Sequence, residues 1–181
     1  VTKAIVELVE QLPRPDREAV RADAAEAIAH AEQASRVDWI ALRVQLRILR
    51  AVRAKLGPRG FEEFASAHFA RTVEQPLAKS VFDGTVRLFG MGPGPIFKIF
   101  PKSWAMMSVG CGTIVCEEPD PTATTIRIVE LPVSEPDIDL YVSGFRSTFR
   151  GVLDVFKLGG DVDFVSFDRA HREARYRARW G

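Results

Sequence analysis

Residues 162–180 read VDFVSFDRAHREARYRARW, and the alternation in their second half decides the fold. Ala174, Tyr176, Ala178 and Trp180 take turns with Arg175, Arg177 and Arg179, a period of two that puts the apolar set on one face of a strand and the arginines on the other. One face meets a core and the other meets water. The polar run from Asp168 to Glu173 supplies a turn, so Val162 to Phe167 is predicted to fold back on Ala174 to Trp180 as a hairpin. Three arginines on an exposed sheet face suit an acidic partner or an RNA backbone, and they also suit an edge strand kept from aggregating by charge; the protective role is the expectation.

Upstream, the segment from Asp139 to Leu158 gathers Tyr141, Val142, Phe145, Phe149, Val152 and Phe156 on one side of a predicted helix. Gly144, Ser147 and Gly151 make a small stripe beside them. Each glycine weakens a helix by about 1 kcal/mol relative to alanine, so the pair marks close approach of another backbone or of a ligand, with tight packing on the sheet as the expectation. Thr113 to Glu117 and Thr125 to Leu131 are β-branched runs joined through Pro119, Asp120 and Pro121, which is turn chemistry. The order strand-strand-helix-strand-strand predicts a four-stranded antiparallel sheet.

From Thr2 to about Phe89 the apolar spacing is helical instead. A helix from Thr2 to Leu12 stops at Pro13, and a second is predicted from Asp16 toward Ser35, its apolar face made mostly of alanine. The third, opened by Asp38 and closed by Gly57 and Pro58, carries Trp39, Ile40, Leu46, Ile48, Leu49 and Val52 around most of its circumference. That leaves a narrow stripe of Arg43, Arg47 and Arg50, read as a solvated face of a core helix, with phosphate or an acidic partner as the alternative. A fourth helix, about Gly60 to Glu74, sets His68 amid Phe61, Phe64, Ala65, Phe69 and Thr72. A buried imidazole needs a hydrogen-bond partner, a metal or a ligand. Pro76 is predicted to start another helix carrying Leu77, Val81, Thr85, Leu88 and Phe89 as far as the glycines at 90, 92 and 94. The GMGPG run there follows a helix and loses amides to Pro93 and Pro95, so it reads as a bend and not a phosphate loop; an apolar turn then runs from Ile96 to Phe100, before Pro101. The fold class is therefore α+β, one domain over 1–181, with an N-terminal helical half packed on the sheet, 1–36 as peripheral helices and 37–181 as the core.

Composition excludes several functions. The 181 residues are 46% apolar and 27% charged with a formal charge of +1, which disfavours nucleic acid as a partner. No apolar run approaches the ~18 residues of a membrane helix, so membrane insertion is not expected. Cys111 and Cys116 are the two cysteines, read as reduced thiols of a cytoplasmic protein. His30, His68 and His171 fall on three separate elements, with no HExxH, CxxC or nucleophile elbow. No catalytic residue, no metal site and no enzymatic activity are expected.

Pro101 with Trp104, the glycine turn from Ser108 to Gly112, Tyr141 with Gly144 and Gly151, Gly159 with Gly160, and the closing Ala174 to Trp180 together carry a resemblance over roughly Val37 to the end. The chain resembles the superfamily of haem-based nitric-oxide sensors, 4-vinyl-reductase-type small-molecule domains and Bet3-type trafficking subunits. Within it, the nearest resemblance is to a paralogous family of short bacterial proteins of unknown function. The resemblance implies a pocket between the helical half and the sheet, for a small apolar ligand or for docking a partner. Its lining would be Phe64, His68, Tyr141, Phe145 and Phe149. No cofactor is expected, and haem is disfavoured: the sensors' Tyr-x-Ser-x-Arg cluster is matched by Tyr141, Ser143 and Arg146 with one extra residue, on a predicted helix. The function expected is a non-enzymatic sensory or regulatory domain. The alternative is an interaction module whose helices form a homodimer or partner face and whose pocket is filled by its own side chains.

Overall fold

Pro13 separates the first two helices in the computed structural model, which describes residues 2–35, 38–74, 79, 84, 93–117, 120–155, 157 and 159–181. Apart from Lys79 and Gly84, the helix expected from Pro76 to Phe89 lies outside these residues, as do the glycines at 90 and 92 and Phe156. Helix α1 spans Thr2–Gln11, α2 Arg14–Asp23 and α3 Ala25–Gln33. The single helix expected from Asp16 to Ser35 is thus two, broken at Ala24 with φ −116° and ψ 25°. The break redirects the chain so that Val20 on α2 and Ala27, Ile28 and Ala31 on α3 enter one apolar cluster with Ile5 and Val9 of α1.

Helix α4, Leu42–Val73, contains both the third and the fourth expected helices. They meet at Gly57, whose φ of 69° and ψ of −176° bend the axis. Glycine takes this conformation without a Cβ penalty, and Pro58 then opens the second half, where its missing N–H costs little. Asp38 does not cap α4. Its carboxylate accepts the Ser35 N–H at 2.6 Å, closing a local turn, and Trp39 is left outside the helix with 64% of its surface exposed. Below the bend, Phe61 and Phe64 join Ile48 and Val52 in the cluster with α1–α3, whereas Phe69 joins a second cluster with the sheet.

The apolar turn expected before Pro101 is instead helix α5, Pro93–Met107, running through that proline. A proline inside a helix gives up one backbone hydrogen bond. Tertiary anchoring on both sides outweighs the loss: Ile96, Phe97 and Phe100 are buried before it, and Trp104 after it donates its indole N–H to the Gly112 carbonyl at 2.9 Å.

Strands β1, Thr113–Cys116, and β2, Ala123–Val129, precede helix α6, Ile138–Val155; β3, Gly160–Asp168, and β4, Glu173–Trp180, follow it. The sheet is antiparallel with order β1-β2-β4-β3, so the α+β architecture agrees with the sequence. Ile126, Tyr176 and Phe164 lie in register across three strands on the face covered by α6, and the Tyr176 hydroxyl donates to the Val142 carbonyl of that helix at 2.7 Å. Among the described residues no helix is long and apolar enough to cross a membrane.

The arginine-bearing strand is not an edge. β4 is paired on both sides, so its arginines cannot serve to protect an open edge; they neutralise carboxylates across the outer face instead. Arg175 pairs with Glu173, Arg179 with Asp163, and Arg177 with Asp120 at 3.0 Å. Glu173 also takes a two-pronged contact from Arg127 at 3.0 and 2.7 Å. Hydrogen bonds from Arg127 and Arg175 hold its carboxyl down at about 2. A carboxylate depressed in the folded state stabilises fully above its unfolded pKa, and the contribution disappears as pH falls through the folded value. Acid titration of stability is therefore expected to show a loss between about pH 4.5 and 2 that is absent in Glu173→Gln. Equal acid profiles for the two proteins would remove Glu173 from the account.

Candidate functional site

Tyr141, Phe145 and Phe149 follow one another at four-residue spacing on α6, and the helix repeat brings their rings into contact at centroid separations of 4.8 and 5.5 Å. Neighbouring elements extend the cluster. Trp104 meets Phe145 edge-on at 5.3 Å, Phe100 meets Phe149 at 5.6 Å and Phe69 at 6.1 Å, and Tyr176 of the sheet meets Phe149 at 5.1 Å. A continuous row of aromatic rings thus joins α4, α5, α6 and β4. Each contact of this edge-to-face kind adds about 0.5–1.5 kcal/mol beyond the area it buries.

The polar tips of these rings are satisfied by backbone. Tyr141 donates its hydroxyl to the Cys111 carbonyl at 2.9 Å, beside the Trp104 bond to Gly112. Burial pushes both tyrosine hydroxyls, Tyr141 and Tyr176, well above the usual phenol range, so they remain neutral donors. The same cause raises the Cys111 thiol and pushes Cys116 up to about 12, so both sulfurs stay protonated and are poor nucleophiles.

Of the five residues expected to line a pocket, the structure gathers Tyr141, Phe145 and Phe149 and separates Phe64, which the bend at Gly57 turns into the cluster with α1–α3. His68 is half-buried on the α4 face that carries Phe61, Phe64, Ala65, Phe69 and Thr72, and its Nε2 lies 3.4 Å from the Thr72 hydroxyl. Phe69, Phe100, Trp104 and Tyr176 were not expected at the site. The four-residue spacing of Phe100 and Trp104 was the one local signal, and it was hidden by the proline between them.

The small stripe of α6 faces a helix and not the sheet. A Cβ on Gly151 would come within 3.2 Å of the Phe69 ring and 3.4 Å of the Ser66 carbonyl, so glycine lets α4 and α6 approach closely. Tyr141, Ser143 and Arg146 each turn to a different partner. Ser143 donates to the Leu140 carbonyl at 2.9 Å and Arg146 to the Val162 carbonyl at 2.9 Å, while Tyr141 is held by Cys111. Among the described residues no three histidine, cysteine or carboxylate groups gather to hold a metal ion.

This arrangement of helices on a four-stranded antiparallel sheet is the fold of H-NOX proteins. The Fe(II) unliganded H-NOX protein from K. algicida superposes with a TM-score of 0.67 at 11% identity, over 99% of this chain and 94% of that one. An oxygen-binding H-NOX domain related to soluble guanylate cyclases, in its oxygen complex, gives 0.65 at 14% identity over 98% and 92%. A structure from work probing heme distortion in the H-NOX family gives 0.61 at 12% identity over 98% and 91%. No protein-family model and no curated protein matches the chain.

The likeness corrects the expectation that haem is disfavoured. Spacing of Tyr141, Ser143 and Arg146 was its ground, yet almost the whole chain adopts the fold of proteins described by their Fe(II) state and their heme. Departure from one short motif does not outweigh agreement in the whole architecture, so the exclusion of haem does not stand. Two features of the described residues bear on such a group: an aromatic interior, and His68, a half-buried imidazole whose Nε2 lies 3.4 Å from the Thr72 hydroxyl.

Proposed function

We propose that this chain is a non-enzymatic sensory or regulatory domain that binds a small apolar molecule between its helical half and its sheet. The observation that carries this reading is the aromatic row from Phe69 through Phe100 and Phe149 to Tyr176, set within a fold shared with H-NOX proteins over 99% of the chain. Tyr141, Phe145 and Phe149 form its α6 wall, with His68 contributed by α4 and Phe64 left to the neighbouring cluster. Haem is the member of this ligand class to test first. Bound there it would supply an iron able to take a diatomic gas, with His68 as the nitrogen donor and the rings as its apolar surround. We further place the chain with a paralogous family of short bacterial cytoplasmic proteins.

Native mass spectrometry and an absorption spectrum of protein purified from its own host test the proposal together. A non-covalent adduct that leaves on denaturation is the expected result, and His68→Ala is expected to lose it while keeping a folded unfolding transition. A haem adduct would show a Soret band that moves or vanishes in the same variant. A clean apo mass that added haem does not change would overturn the ligand reading.

One observation favours a second reading, an interaction module. Strand β3 is an edge, and Phe164 and Val165 beside its bulge are 46% and 58% exposed. A colourless apo dimer in the same spectrum would favour it.

A further inference from the structure

The arginine stripe of α4 divides in the structure. Arg50 lies 3.4 Å from Asp137. Arg43 makes no ion pair among the described residues, and Arg47 reaches Glu26 only at 3.5 Å. Both residues border a cleft of about 220 Å³ between α3 and α4, open to solvent and lined further by Glu26, Ala27, His30 and Val44. It belongs to the helical cluster of α1–α4 and shares no residue with the aromatic row.

We propose that this cleft holds the phosphoryl group of a small phosphorylated ligand. Arg43 and Arg47 are four residues apart and so lie side by side on one helix face. Each presents a planar fork of donors that matches two phosphate oxygens. His30 on α3 lines the cleft from another side, where its ring would serve a third oxygen. The first turn of α4, which begins at Leu42, adds the favourable end of its dipole. Ala27 and Val44 are small and apolar, so they suit a short carbon stem behind the phosphate. A water's share of liquid volume is about 30 Å³, so the space is that of several waters, enough for one phosphoryl group and such a stem. Glu26 does not close the site: its side chain is 92% exposed and its pair with Arg47 is of the weak, solvent-screened kind. Displacing it frees Arg47 for the ligand.

Calorimetric titration of the full chain with inorganic pyrophosphate at low ionic strength tests the site. One-site binding is expected, weakened about tenfold or more by Arg43→Gln and by Arg47→Gln, and strengthened by Glu26→Gln, which removes the competing carboxylate. Arg50→Gln, outside the cleft, is expected to bind as the wild type does. Both cleft arginines are exposed, so the variants should keep the wild-type unfolding midpoint. Absence of binding, or binding that survives both arginine variants, overturns the proposal. Parallel titration with glycerol phosphate and co-sedimentation with phosphatidate-containing vesicles separates the two sources of the phosphate. Arginine-dependent binding of the soluble ester assigns a free metabolite and arginine-dependent binding to vesicles alone assigns a lipid headgroup, either of which upholds the site.

Discussion

Phe149→Ala is expected to lower the unfolding free energy by about 3–5 kcal/mol, read as a reduced denaturation midpoint at unchanged slope. The side chain is 0% exposed, and its ring is in contact with Phe100, Phe145 and Tyr176 from two helices and the sheet. Those neighbours are held by contacts of their own, Tyr176 by its bond to Val142 as well, so they cannot collapse into the space that alanine leaves. Unrelaxed cavities are what make such truncations expensive. A cost below about 1 kcal/mol would show that the interior here is loose or already hydrated, and the aromatic row would lose its role as the wall of a site. Because the truncation also weakens the fold, ligand retention at this position is better read in Phe149→Leu, which keeps most of the volume.

Gly112→Val is expected to cost about 2–5 kcal/mol, from two separate causes. The residue sits at φ 89°, where a side chain costs about 1–2 kcal/mol, and a Cβ there would lie 2.9 Å from Ile128 Cγ2 and 3.1 Å from the Val129 carbonyl. The carbonyl is paired in the β1–β2 ladder and cannot retreat. Forcing extra carbon against it adds about 1–3 kcal/mol. Gly110 provides the control, since its φ is 68° but nothing lies within 4 Å of an added Cβ. Thermal unfolding of Gly110→Val and Gly112→Val should therefore differ by the packing cost alone. Equal losses would mean that the turn accommodates the side chain and that strain at the backbone is the whole effect.

Much of the architecture was legible in the chain. Alternation in 174–180 put Ala174, Tyr176, Ala178 and Trp180 on a buried face, and the four-residue spacing of Tyr141, Phe145 and Phe149 put three rings on one side of a helix. Both are short-range periodicities, which the backbone geometry converts directly into faces. The errors share the opposite character. Asp38 had a better partner in the Ser35 N–H than in the first turn of α4, and Pro101 was tolerated because Trp104 and Phe97 are anchored elsewhere. The haem expectation failed in the same way, since it weighed the spacing of three residues on α6 against a likeness that only the complete fold reveals.

The amino-acid sequence by itself determined the four strands, the helix before the last hairpin, the apolar faces of both and the antiparallel hairpins, because these follow from periods of 3.6 and 2.0 and from turn chemistry within a few residues; α5 and the break at Ala24 it did not. The tertiary structure alone decided that β4 lies inside the sheet, that Phe64 and Phe69 serve different cores, that Gly151 faces α4, and that Arg43, Arg47 and His30 border one cleft. Each of these is a choice of partner across a long stretch of chain, set by the bend at Gly57 and by burial summed over the whole molecule, and no local period encodes it.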